Sequence, residues 1–196
     1  MNRVIDSGAV FGGWVGVGVA MVLVIAFELI IPVQSMVFIL APLMGVLVGV
    51  YANVRSERWR PRRRVLANAA YASLVAGIAV ALLYVIVRLV FIYGDTGAMP
   101  DGSTLTCSAG PDCIYQRYVQ SGQADDLAAV GITDGKSLEA AEWRELITFG
   151  AGLIVLSVAG GLVGGAIRSF SSPPKSAPLP VSPSAARPRP RPQGSA

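Results

Sequence analysis

The sequence predicts an all-α membrane protein: a four-transmembrane-helix bundle with a small helical extracytoplasmic cap between helices 3 and 4 and a disordered C-terminal tail. Three observations predict it. Residues 9–52, 65–93 and 146–167 are long and almost free of charge. Each run exceeds the roughly 20 apolar residues a helix needs to cross a hydrocarbon core of about 30 Å, and the first is about twice that length. The composition agrees: 53% of the 196 residues are hydrophobic and only 14% are charged, against about 25% charged in ordinary soluble domains. A soluble core has no room for three such runs in so short a chain. The third observation is the segregation of charge, which orients the spans.

The first span is expected over residues 10–31, after a short cytoplasmic N-terminus at 1–9. Pro32 donates no hydrogen bond and disfavours helix in the residue before it, so a tight turn at residues 32–35 splits the first apolar run into two spans. A cleaved signal peptide is not expected. Asp6 cancels the charge of Arg3, and the apolar run is too long for a signal core. The second span covers 35–52, with a kink expected at Pro42. Residues 53–64 then form a basic loop in which Arg55, Arg58, Arg60, Arg62, Arg63 and Arg64 face a single acid, Glu57, for a net charge of +5. The third span covers 65–93 and is long enough to tilt or to project beyond the lipid.

Residues 94–145 carry nine acids against Arg117, Lys136 and Arg144, a net charge of −6. Within them, Asp112 is placed to cap a helix over 113–120 with Gly122 as its stop. A second piece is expected over 124–130. Ser137 opens a run of helix formers that leads straight into the fourth span, 146–167. After Phe170 the chain turns to Pro, Ser, Ala and Arg, which bury too little apolar surface to offset chain entropy. The tail at 168–196 is therefore read as disordered, and its basic end either helps fix orientation or contacts anionic lipid or a partner.

Short basic loops stay in the cytoplasm. The arginine segment and the basic tail then share the inner side with the N-terminus, and the acidic segment lies outside. The expected location is a cell (inner) membrane. Cys107 and Cys113, the only cysteines, both fall in the outer segment around a Gly-Pro turn, so a disulfide is expected between them. Aromatic rings are expected at the two interfaces, with Trp14, Tyr51 and Tyr71 inside, Tyr93 and Trp143 outside, and Trp59 among the arginines.

Few side chains suggest chemistry. Glu28 and Arg88 are the ionisable residues inside spans, both roughly one to one and a half turns below the outer surface. Intramembrane charges are costly and usually have partners, so an ion pair between them is expected, with separate snorkelling to the interface as the alternative. Small residues recur every fourth position: Gly8, Gly12, Gly16 and Ala20; Gly45 and Gly49; Ala69, Ser73, Gly77 and Ala81; Gly160 with Gly164, and Gly161 with Gly165. Such spacing puts small residues on one face where backbones approach closely. It marks either packing within the bundle or a face for self-association or a membrane-protein partner, and the fourth helix is the best candidate for the latter. Asn68, near the inner end, is placed to bond across helices.

The six arginines of residues 53–64 are expected to contact anionic lipid headgroups, with an acidic cytoplasmic partner as the alternative. A twelve-residue loop has no fold to present it to nucleic acid. There is no histidine, no nucleophile elbow and no phosphate-cradling loop before a lysine, and the glycines near residue 16 lie in a span rather than after a soluble strand. No catalytic site, metal or cofactor is expected. The reading is a non-enzymatic scaffold, assembly factor or accessory subunit of a membrane complex. The alternative is a small oligomeric channel or transporter with Glu28 and Arg88 near its outer mouth.

Overall fold

The computed structural model of the chain describes residues 5–30, 34–56, 61–99 and 102–170. Among these the protein is all-helical. Helix α1 (Ser7–Val24) runs on into a π-helical segment (Ile25–Ile30), followed by α2 (Gln34–Val54), α3 (Arg62–Tyr93), α4 (Pro111–Gln120), α5 (Ala124–Ala129) and α6 (Gly135–Phe170). The only strand-like pairing among the described residues is one antiparallel bridge between Ala98 and Thr104.

Four helices are long and apolar enough to cross a membrane: α1 with its π-helical extension, α2, α3 and α6. Only 33–39% of the most apolar window of each is buried. The rest points outward, with Leu47, Ile147 and Val155 each about two-thirds exposed. A surface of that kind requires an apolar solvent.

The packing partners fix relative direction. A Cβ added at Gly12 would meet Ala52, and one at Gly16 would meet Val48, so α1 and α2 run antiparallel. Gly13 faces Val75 and Gly16 faces Ala76, so α1 and α3 run parallel at an offset of about sixty residues. Gly161 lies against Ser73 and Gly165 against Ala69, so α3 and α6 are antiparallel. Gly45 lies against Ser157 and Gly49 against Gly161, so α2 and α6 are parallel. The start of α1, the α2–α3 connection and the end of α6 therefore share one end of the bundle. The guanidinium of Arg62 sits 5.4 Å over the ring of Phe170 at that end. Helices α2 and α3 touch each other and separate α1 from α6.

Polar side chains tie the basic end together. Asn68 does bond across helices: its Nδ2 donates to Asp6 Oδ2 (2.5 Å), and the Asp6 amide donates back to Asn68 Oδ1 (3.3 Å). Asn53 Nδ2 donates to the carbonyls of Gly49 and Val65, linking the end of α2 to the start of α3. In the core, Phe38 packs edge-on against both Tyr84 and Phe149, among Val37, Val80 and Leu153.

Element boundaries differ from expectation in instructive ways. Helix α3 begins at Arg62 instead of residue 65, because Pro61 supplies the extended residue before it and arginine is a good helix former. Three of the six arginines thus stand on the first turn of α3. Helix α6 begins at Gly135, with the helix-forming run continuous with the span. Asp134 Oδ1 accepts the Ser137 amide (2.7 Å), and Ser137 Oγ accepts the Asp134 amide (3.0 Å). This is a reciprocal cap, and it starts the helix before the serine. Helix α4 starts at Pro111 after Gly110, which adopts φ 100°, so Asp112 lies inside the first turn and accepts the Ser108 amide instead. Gly122, at φ 80°, ends α4, with its own amide on the Val119 carbonyl and the Gln123 amide on that of Tyr118. The turn at Pro32, residues Arg58, Trp59 and Arg60, and the tail after Phe170 lie outside the described residues.

Candidate functional site

The end of the bundle opposite the arginines holds both charged residues that lie inside the spans, Glu28 and Arg88. Glu28 is placed there by the small-residue stripe of α1. Gly8, Gly12, Gly16, Ala20, Val24 and Glu28 recur at a step of four, and all six are buried. A step of four drifts around an α-helix of 3.6 residues per turn. The wider turn of the π-helical segment takes up that drift, so Glu28 stays on the inward face. Glu28 is 7% exposed, and its Oε1 has no hydrogen-bond partner among the described residues.

The offset of about sixty residues between α1 and α3 brings Glu28 level with Arg88. Arg88 nevertheless makes its ion pair with Glu142 of α6, Nη2 to Oε2 at 3.3 Å. The expected contact with Glu28 is therefore replaced. The physical reason is that α6 continues as helix beyond the apolar core. It carries a carboxylate to the level of Arg88 at a wetter position, with 19% of the Glu142 side chain and 21% of that of Arg88 exposed. One turn further out, Tyr93 donates its hydroxyl to Glu139, and Trp143 Nε1 donates to the Tyr93 oxygen (3.2 Å). Arg88 to Glu142 and Tyr93 to Glu139 follow the same antiparallel α3–α6 register that sets Gly77 against Ser157.

Beyond α3 the chain folds back over this end. Asp95 Oδ1 accepts Arg117 Nη2 (2.8 Å) from α4 and the Gly97 amide (2.8 Å). Cys107 and Cys113 are joined as a disulfide, with Cα atoms 5.0 Å apart. Gly97 lies beneath it at φ 76°, and a Cβ there would come 2.7 Å from Cys107 Sγ. A cavity of about 600 Å³ lies between these pieces, lined by Arg88, Asp95, Arg117 and Glu142 on its polar side and by Val90 and Phe91 on its apolar side. The arrangement offers two guanidiniums and two carboxylates beside apolar surface. That set suits binding of a charged amphiphilic group and contains no activated nucleophile.

The small-residue faces are consumed inside the bundle. Gly160 and Gly164 lie against the backbone carbonyls of Pro42 and Val46 in α2, while Gly161 and Gly165 lie against Ser73 and Ala69 in α3. Gly45 and Gly49 face Ser157 and Gly161, and Gly77 faces Ser157 and Ile154. Carbonyls this close to a glycine Cα make weak Cα–H···O contacts. The fourth helix, expected as the best association face, is thus a double ridge turned toward α2 and α3. Of the arginines, Arg55, Arg62, Arg63 and Arg64 are exposed at the other end, with Arg55 5.0 Å over the Phe11 ring. Sequence reasoning missed Glu142, Asp95 and Arg117. Extending the step of four in α1 past Ala20 would have marked Glu28 as inward-facing.

Among the described residues, no group of three or more His, Cys, Asp or Glu side chains is placed to hold a metal ion. Comparison with protein-family models, with curated proteins and with solved structures finds no match to this chain.

Proposed function

We propose that the chain is a non-enzymatic integral protein of a cell (inner) membrane that serves as a scaffold, assembly factor or accessory subunit of a membrane complex. In this reading both termini and the arginine-rich segment are cytoplasmic, and residues 94–134 with the start of α6 form an extracytoplasmic cap. The observation that carries it is the closeness of α6 to α2 and α3 through the middle of the spans. A Cβ at Gly49 would stand 2.9 Å from Gly161 Cα, and one at Gly77 would stand 2.9 Å from Ser157 Cβ. Backbones so close leave no lumen between those helices, which supports a rigid support over a conduit through the single chain.

Because the glycine ridges are occupied internally, a partner would engage the exposed arginines at one end, the cap at the other, or the outward apolar faces. Arg55, Arg58, Arg60, Arg62, Arg63 and Arg64 are proposed to hold anionic lipid headgroups beside such a partner. Cross-linking in intact membranes, followed by purification in mild detergent and mass spectrometry, tests the reading. A membrane-protein partner or a defined homo-oligomer recovered in fixed ratio is the expected result. A lone monomer in both experiments contradicts it.

One observation favours the alternative of a small channel or transporter. Glu28 is a buried carboxylate inside a span with an oxygen that no partner satisfies among the described residues, and such residues often mark ion paths. Flux through liposomes holding the full chain separates the two. The scaffold reading predicts no flux above empty liposomes, and a flux that Glu28→Gln alters would replace it with transport.

A further inference from the structure

The cavity above the end of α3 has a composition that the scaffold reading does not use. Its polar residues come from short helical spacings. Arg88, Phe91 and Asp95 follow one face off the end of α3, and Ile114, Arg117 and Tyr118 share one face of α4. Glu142 closes the set from α6. Two full positive and two full negative charges therefore line one space, and each guanidinium engages its carboxylate through one terminal nitrogen, Nη2. Arg117 spends the same nitrogen on the Ala98 carbonyl as well (3.2 Å). A guanidinium has five N–H donors and a carboxylate about four acceptor sites, so both pairs keep unused capacity. Arg117 is 42% exposed along its side chain, so it is free to exchange partners.

The apolar wall is equally specific. Val90 and Phe91 are 65% and 57% exposed and belong to the outward face of α3, which continues through Ile86 and Leu82 down the span. The cavity therefore borders the surface that the bilayer covers. Its volume of about 600 Å³ falls within the roughly 300–1,000 Å³ of small-molecule sites.

We propose that this cavity seats the headgroup of an aminoalkyl phospholipid, with the phosphate held by Arg88 and Arg117, the ammonium by Asp95 and Glu142, and the acyl chains laid along Val90, Phe91 and Ile86. Arginine forks match phosphate oxygens, and the two unesterified oxygens of a phosphodiester offer one to each guanidinium. A primary ammonium donates hydrogen bonds to both carboxylates, whereas a quaternary ammonium has no donor and a glycerol headgroup has no positive charge. The site should thus prefer phosphatidylethanolamine to phosphatidylcholine and phosphatidylglycerol. This inference stands apart from the scaffold reading, since it needs no protein partner.

The test uses the full chain, delipidated in mild detergent and titrated with each of the three lipids, with retained lipid counted by native mass spectrometry. Phosphatidylethanolamine should be retained about tenfold more tightly than either of the others, as expected for about one charge-assisted contact. Arg117→Gln should weaken retention of all three, and Asp95→Asn, which keeps an oxygen for the Gly97 amide, should reduce the preference over phosphatidylglycerol. Helix content by circular dichroism shows that each variant is folded. Equal retention of phosphatidylethanolamine and phosphatidylglycerol by the native chain overturns the proposal, as does unchanged retention in both variants. Displacement of the bound lipid by soluble glycerophosphoethanolamine at equal concentration would assign the site to the free headgroup and overturn the lipid assignment. Failure to displace supports it.

Discussion

Glu142 decides where Arg88 points. Glu142 of α6 makes the ion pair with Arg88, although Glu28 lies level with the same arginine on α1. Replacing Glu142 by Ala should destabilise the protein by about 1–3 kcal/mol, the cost of leaving a partly buried charged donor unmet. A cycle with Glu28→Gln should show coupling of about 0.5–3 kcal/mol, whereas independent sites would add. Thermal unfolding of the three variants in one detergent measures both. The depth of Glu28 and Arg88 was legible in the sequence, because distance from Pro32 and Gly94 sets it. The choice of partner was not, because it depends on how far α6 continues as helix past the lipid and on its register against α3. A second residue-scale expectation concerns Asp134. Hydrogen bonds from the Ser137 amide and hydroxyl hold its carboxyl below the usual range. A depressed carboxyl contributes stability that is full above its unfolded value of about 3.9 and is lost as pH falls through the folded value. Amide protection at Ser137 and Leu138 should therefore drop below about pH 4, and Asp134→Ala should lower it at every pH and remove that step.

At the scale of helices, two glycines of α6 distinguish packing from mere composition. Gly161 has no room for a side chain, since an added Cβ would come 3.1 Å from the Ala69 carbonyl and closer still to Ser73. Gly152, about two and a half turns earlier on the same helix, faces open space. Gly161→Ala should cost about 1–3 kcal/mol by overpacking, while Gly152→Ala should be neutral or stabilise by up to about 1 kcal/mol through helix propensity. Unfolding in a denaturing detergent series gives the two signs, and equal effects would contradict the packing described. The glycine spacing was fully legible in the sequence. What it meant was not, because a four-residue step names a face and leaves the neighbour open. The double ridge resolves it: adjacent pairs at 160/164 and 161/165 serve two different helices. The π-helical segment was illegible for a related reason, since no residue in it is a helix breaker and only the continued burial of Glu28 calls for a wider turn.

For the molecule as a whole, the apolar runs and Pro32 were enough to read four long helices, because length against bilayer thickness is a one-dimensional property of the chain. The helical pieces of residues 111–129 were legible to within two residues through their glycine stops, and the disulfide through its isolation in one segment. How that segment leans on α3 and α6 was not, because it rests on long-range pairs such as Asp95 with Arg117. Reduction of Cys107–Cys113 should accordingly raise amide exchange in residues 95–113 and leave the Gly45–Ser157 and Gly161–Ser73 contacts protected. Protection lost across the spans would show that the segment holds the bundle together.

Four crossings with the arginine-rich connection and both chain ends on one face is the arrangement on which the rest stands. It is tested most directly by epitope tags placed singly at the N-terminus, near residue 58, near residue 102 and at the C-terminus, each probed with protease in sealed, oriented membrane vesicles. Tags at the two ends and near residue 58 should be cut or protected together, and the tag near residue 102 should behave oppositely. Termini found on opposite faces, or residues 58 and 102 on the same face, would contradict it.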